Sequence, residues 1–509
     1  MSNASLPIKN SAPEEPRSFS AAVKRGAFLL AAMRVSTRFL TALQLLIFSI
    51  IMGTEDTGLI GIALTTLITI EVFCQLGITK ALIQRQGDNS VFFPTAFTAQ
   101  AIRGTFIAIM MYYTAPWVAR WFNAPEAADL LRWFAIIPCC KGFINIAVTQ
   151  FERKLQFGKV VILDIGSPII DFIVTMICLF TNPNLFSLVW GKIAGAVWAV
   201  AVSYLMKTDS WKLGWNWERF RELHVFGKWV FVSGVIGLLL TRGADFAVGR
   251  ILSTSEFGIL TLSTMLAITP MMELNNIINR VAFPAYSRLQ GDIPRLASAF
   301  LRTFLAVTTV VVAIMLIIML SAADLVNLLF DSSWQEMKIV IPLMAIWGAC
   351  RALGGATSSV FMAVGKPFFA SYYHLVMLFM LAVLVYPMTS RGGLIGVSLM
   401  LASIGMTVQA LRYGLIAKLL DLPAIEIYQR AFIPFCLAGL SWLIVKTLIQ
   451  PIFADLPSAL TIAIFPAVGL SIYLLGLFAW QSLSKIPVYQ TLGSVLPLGW
   501  FSKFFAKAS

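Results

Sequence analysis

The residues best placed to do chemistry in this chain are charged side chains inside long apolar segments. Arg34 and Arg38 stand one helical turn apart in the first segment, so a helix puts both on one face. Lys192 lies in the sixth segment, Arg242 and Asp245 three apart in the seventh, and Arg351 in the tenth. A cation in hydrocarbon is costly, so it faces a partner or a water-filled cavity. Arginine stays charged, and its planar donors match phosphate oxygens. The chemistry these six residues would support is the binding of an anionic group where the dielectric is low. Plainer readings stand beside it. Arg34 can snorkel to the nearer interface, and Arg38 less easily. Arg242 and Asp245 can neutralise each other and still leave a polar patch. Lys192 can pair with Asp171 or Asp164. Arg103 and Lys141 also lie deep, or else near an interface.

Four carboxylates share the apolar segments: Glu71, Asp164, Asp171 and Glu273. Each is a candidate for binding Na⁺ or a proton as a coupling ion, and a change of state there would bias one conformation over another. The alternative for each is a fixed ion pair. Two histidines, His224 and His374, are too few for a histidine-based metal site. The six cysteines lie in apolar segments without metal spacing and read as small packing residues. No glycine-rich phosphate loop is present, which argues against direct ATP hydrolysis. No loop is long enough for a catalytic domain. The reading is a transporter, not an enzyme, with no cofactor and no metal site.

These residues need elements that hold them in lipid. Blocks of about twenty apolar residues recur nearly end to end, about fourteen in all, each long enough to cross a bilayer. Backbone groups in lipid must be satisfied within their own segment, so each block is read as a helix. Charged residues make up only 12% of the chain, about half the soluble norm. The formal charge of +14 might indicate nucleic acid, but the basic residues fall mostly in alternate loops. Those loops place both termini in the cytoplasm. The first block holds Arg34 and Arg38 and lacks a small-residue cleavage pattern, so it is read as a retained helix.

The expected organisation is a cytoplasmic tail over residues 1–22 and a six-helix lobe over 23–207. A linker over 208–228 and a second six-helix lobe over 229–417 follow. An additional helix pair lies over 418–480 and a basic cytoplasmic tail over 481–509. The fourth helix is expected near 129–149 and the seventh near 229–252. Pro138, Pro168, Pro270, Pro342 and Pro434 should kink their helices. The lobes also repeat. Gly53-Thr54-Glu55-Asp56-Thr57-Gly58 matches Ser253-Thr254-Ser255-Glu256-Phe257-Gly258, and Arg85-Gln86-Gly87-Asp88 echoes Leu289-Gln290-Gly291-Asp292 at a similar offset. The second lobe starts after an even number of helices, so the repeats are parallel about an axis along the membrane normal.

Several stretches resemble the polysaccharide transporter family of the multidrug/oligosaccharidyl-lipid/polysaccharide flippases, the Wzx-type exporters. Phe226-Gly227-Lys228-Trp229 leads into Thr241-Arg242-Gly243-Ala244-Asp245, followed by Glu256-Phe257-Gly258 and Arg280-Val281-Ala282-Phe283-Pro284. Phe151-Glu152-Arg153 and Ala81-Leu82-Ile83-Gln84-Arg85 are similar to other loops of that family. The resemblance covers most of residues 24–420 and marks the family, not the substrate. It implies an all-α polytopic fold with two six-helix lobes around a central cavity, working by alternating access. It implies as cargo a polyprenyl-diphosphate-linked oligosaccharide repeat unit, flipped across a bacterial inner membrane for exopolysaccharide or O-antigen synthesis. Membrane lipids, a polysaccharide polymerase and chain-length or export machinery are the expected partners. Asp245 falls on an acidic position that looks typical of the family. A cation-coupled multidrug antiporter of the same superfamily is the alternative, but it would prefer an acidic, aromatic cavity. A peptidoglycan-precursor flippase is less favoured, since its usual signatures are missing.

Overall fold

The computed structural model describes residues 17–73, 77–84, 90–153, 156–206, 212–366, 368–453 and 455–484. Among these residues every regular element is helical. Helix α1 (Arg17–Phe73) consists of two arms broken at Gly53, whose φ of +87° suits glycine alone. It begins inside the stretch read as a tail. A short α2 (Ile78–Gln84) precedes α3 (Phe93–Trp121). Next come α4 (Ala127–Phe134) and α5 (Ile136–Gly142), where hydropathy predicts one helix. Pro138 offers no N–H to the Phe134 carbonyl and its ring crowds that oxygen, so the helix is interrupted rather than kinked. The first half ends with α6 (Thr149–Arg153), α7 (Phe157–Thr181) and α8 (Phe186–Leu205).

The second half opens on α9 (Trp217–Ile251), which starts well before residue 229. The Asn216 side chain accepts from the Arg219 N–H and caps it, so polar residues that hydropathy assigns to a linker enter the helix. Helix α10 (Thr254–Ser287) starts on a capping box. Ser253 N–H donates to Glu256 at 2.8 Å, and Glu256 N–H donates to the Ser253 hydroxyl at 3.2 Å. Then follow α11 (Ile293–Leu329), capped by Asp292, and α12 (Met337–Ala363). Helix α13 (Phe368–Leu419) is again two arms, broken at Gly393 with φ +54°. The last pair is α14 (Ala424–Ile444) and α15 (Ser458–Ser484). Pro168, Pro342 and Pro434 lie inside α7, α12 and α14.

Among the described residues nine helices are long and apolar enough to cross a membrane. Two of these, α1 and α13, double back, and α3, the broken α4–α5 and α9 complete fourteen passes. The chain is a multi-pass membrane protein. The sequence reading assigns most of the basic loops to one end of the bundle. The other carries the Gly53 break and the turn at 252–254, and is called the base-poor end below.

Packing groups the passes into two lobes. In the first, α7 lies along α8 and α1 contacts α3, α4 and α7. In the second, α12 is the hub, packed on α10, α11 and α13. Helices α14 and α15 add onto α11, where the buried Tyr473 hydroxyl donates to the Thr309 carbonyl at 3.2 Å. The lobes meet chiefly where α1 packs on α10.

Candidate functional site

The α1–α10 seam is built from the sequence repeat itself. A Cβ added at Gly58 would overlap the Thr254 carbonyl, and one added at Gly258 would overlap the Thr54 carbonyl. One turn on, a Cβ at Gly61 would lie 2.6 Å from the Thr261 hydroxyl. Glycine lets two backbones approach this closely, and the two copies of the motif touch reciprocally. The lobes are thereby sealed against each other at the base-poor end.

Away from that seal, the charged side chains sort into four groups. Asp171 on α7 is buried and accepts from Lys192 Nζ on α8 at 2.8 Å. It also accepts from the Gln44 amide on α1 at 2.7 Å. Gly191 and Gly195 on α8 leave room for this carboxylate, since a Cβ at either would press on Asp171. The second group is Glu71 on α1 with Lys141 at the end of α5, at 3.0 Å. The third crosses the lobes: Arg38 Nε lies 3.6 Å from Glu273 Oε1, joining α1 to α10. Of the carboxylates named as coupling candidates, Glu71, Asp171 and Glu273 are in ion pairs.

The fourth group lies in the second lobe. Arg242 Nη1 donates to Asp245 Oδ2 at 3.0 Å on α9. Arg351 on α12 feels both charges and lies 5.9 Å from the centre of the Trp347 ring. Beside it opens a cavity of about 300 Å³, walled by α9, α10, α12 and α13. Arg351 lines this cavity together with Arg412 and His374 from the two arms of α13. Met272 and Asn275, which flank Glu273 in sequence, also line it. The structure thus brings Arg242, Asp245 and Arg351 into one neighbourhood and sets Arg38–Glu273 on the helix that walls the cavity. Lys192 belongs to a separate network in the first lobe. The Arg34 side chain lies outside the described residues.

Sequence reading misses Arg412 altogether and names His374 only to discount a metal. Arg412 sits near the end of its apolar block, where a cation looks like an interfacial anchor. It is instead 6% exposed, and it donates to the Gly354 carbonyl at 3.0 Å. The available signal was the glycine pair Gly354-Gly355 on α12. A Cβ at Gly354 would come within 2.6 Å of Arg412 Nη1, and one at Gly355 would overlap the Asn275 amide.

Chemically, the arrangement gathers more positive than negative charge. Arg351 and the buried Arg412 line one cavity, and the partly exposed Arg242–Asp245 pair lies near Arg351. Removing an ion from water costs several kcal/mol even after relaxation, so this surplus of positive charge is a standing demand for an anion. A drug-cation site would show the opposite balance.

The family model for the polysaccharide biosynthesis protein matches residues 47–339. The lipopolysaccharide biosynthesis protein WzxC of Escherichia coli (strain K12) is 22% identical over 362 residues, covering 70% of this chain and 73% of WzxC. The teichuronic acid biosynthesis protein TuaB of Bacillus subtilis (strain 168) is 20% identical over 411 residues, covering 80% of this chain and 85% of TuaB. Among solved structures, the lipid II flippase MurJ in an inward closed conformation superposes with a TM-score of 0.72 at 12% identity, covering 89% of this chain and 99% of MurJ. An inward-facing multidrug resistance MATE transporter of the MOP superfamily gives 0.58 at 16% identity, over 77% of this chain and 98% of the transporter. The two structural likenesses establish the fold, and the family match over more than half of the sequence does the rest: the chain belongs to the polysaccharide biosynthesis protein family.

Proposed function

We propose that this protein is a flippase for a lipid-linked oligosaccharide, a transporter and not an enzyme. The observation that carries the reading is the pair of arginines, the buried Arg412 and the half-buried Arg351, that line one cavity in the second lobe of a bundle that superposes on a flippase. A polyprenyl-diphosphate sugar has a hydrated anionic head that must pass a region of low dielectric while its tail stays in lipid. Cations held within the bundle replace water around the diphosphate and lower that barrier. Arg38 and Arg242 are the residues assigned to this contact, with Asp245 orienting Arg242. Release follows when the lobes rock and the seal at the base-poor end opens. That motion is driven by differential binding of cargo and ions to the two states.

The finer reading is a polyprenyl-diphosphate-linked repeat unit carried outward across a bacterial inner membrane for exopolysaccharide or O-antigen synthesis. Both termini lie in the cytoplasm, so the base-poor end is the outer one. A polysaccharide polymerase and chain-length or export machinery take over the product. Na⁺ or H⁺ is the coupling ion. The excess of intramembrane Arg and Lys disfavours the multidrug antiporter.

Depletion in the native host, with side-resolved labelling of extracted lipid-linked sugars, tests this directly. Complete repeat units should accumulate on the cytoplasmic leaflet while surface polymer disappears. Normal polymer with altered drug sensitivity would overturn the reading in favour of the antiporter. Single substitutions test the site. Arg38→Ala and Arg242→Ala should each cut polymer export about tenfold or more, the cost of one charge-assisted hydrogen bond. Membrane insertion should be intact in both, and unchanged export in both would remove the assignment.

A further inference from the structure

The cavity in the second lobe carries more information than its charge. Arg412 is 6% exposed, and its Nε, buried, has no partner among the described residues. Arg351 has no carboxylate of its own, because Asp245 is bonded to Arg242. Two guanidinium groups thus line one cavity, and among the described residues no carboxylate lines it. Around them the wall is of two kinds. Met272, Trp347, Met377 and Val408 are apolar, while Gln409 and Ser358 bring an amide and a hydroxyl. At about 300 Å³ the space exceeds what a bare phosphate fills and reaches the size of small-molecule pockets. A phosphate needs cations and donors and has no use for two methionines and a valine. A pyranose ring needs both kinds of wall, since its C–H faces are apolar and its hydroxyl edges are polar.

We propose that this cavity binds an acidic sugar of the cargo, a hexuronate or a sugar bearing a carboxylate substituent. The carboxylate pairs with Arg412 and Arg351, a geometry that planar guanidinium donors favour. The ring lies between the apolar wall and the Gln409 amide. Gly354 and Gly355 are part of the design, because they admit Arg412 and Asn275 to the wall. The inference rests on the flippase reading and adds to it a substrate class, a negatively charged repeat unit.

The test uses the purified full chain in nanodiscs and saturation-transfer NMR with three probes: D-glucuronate, D-glucose and inorganic phosphate. Transfer to glucuronate is expected, with little to glucose and little displacement by equimolar phosphate. Arg351→Gln and Arg412→Gln should each weaken glucuronate binding by about tenfold. Arg351→Gln is the decisive variant if loss of the Arg412 bond to Gly354 prevents folding. Equal transfer to glucose, full displacement by phosphate, or undiminished binding in Arg351→Gln would each overturn the proposal. The flippase reading is judged separately by the depletion experiment. Cytoplasmic accumulation of repeat units without glucuronate binding would discard the acidic sugar and keep the flippase.

Discussion

Gly258→Val is expected to suppress polymer export by about tenfold to a hundredfold while the protein still inserts in the membrane. Even a methyl group at Gly258 overlaps the Thr54 carbonyl, and valine adds two more carbons there. The obstruction is backbone, which cannot rotate away. Overpacking of this kind costs about 1–3 kcal/mol when the surroundings can give way. Here the easiest relief is separation of α1 from α10, which opens the base-poor end. The substitution therefore acts on one state of the cycle more than the other. A differential of that size shifts the balance between states by roughly tenfold to a hundredfold. Gly58→Val should do the same, because its Cβ would overlap Thr254 in the reciprocal contact. The check is thiol labelling of a cysteine placed at Ser253, in a background without the native cysteines. An impermeant reagent applied from outside should label the Gly258→Val protein much faster than its parent. Equal labelling together with normal export would remove the seal from the mechanism. Gly243→Ala is the control. It is also a helical glycine of the second lobe, but its added Cβ meets nothing within 4 Å.

The second large effect concerns stability rather than transport. Asp171→Ala should destabilise the first lobe by about 3–5 kcal/mol, because it leaves the Lys192 ammonium buried without a counter-charge. The two side chains are 12% and 18% exposed, so solvent screens the pair little. The Gln44 amide loses its acceptor in the same step, although Thr175 stays within 2.6 Å. Replacing both ions by apolar residues of similar size, Asp171→Leu with Lys192→Met, should recover most of the loss. A pair of charges that is merely satisfied contributes far less than an orphaned one costs. Thermal unfolding of the purified variants in detergent separates these outcomes. An Asp171→Ala protein as stable as its parent would show that water or lipid reaches Lys192. Because the network lies in the first lobe, the double variant should also retain export. That would set it apart from Arg38 and Arg242.

The two experiments bear on opposite aspects of one design. The lobes are internally tight, with the buried Asp171 network in one and the α12 hub in the other. Between them the α1–α10 contact depends on glycine and is spanned by the Arg38–Glu273 pair at 3.6 Å, while Arg250 on α9 donates to the Arg120 and Trp121 carbonyls at the end of α3. Rigid halves that meet along a narrow seam are what rocking requires.

What the sequence by itself determined is the class of molecule and its plan. Apolar blocks of bilayer length dictate helices, since lipid offers no partner for an unpaired backbone group. Their number, the family stretches around Arg242 and Asp245, and the excess of intramembrane base were all legible in one dimension. So was the duplication of the Thr54–Gly58 and Thr254–Gly258 motifs. Local exceptions were not. The interruption at Ala135 and the early start of α9 at Asn216 turn on a proline clash and a single side-chain cap, which a hydropathy average smooths away. Only the tertiary structure decided that the two repeats press against each other, because a sequence match fixes similarity and not distance. It also decided which acid meets which base: Lys192 chooses Asp171, and Arg38 crosses to Glu273 on the other lobe. The Arg412 cavity depends on it most. Two helix pairs, α9–α10 and α12–α13, come together to supply its walls, and whether a given arginine snorkels to water or is buried against Gly354 is settled by what packs around it.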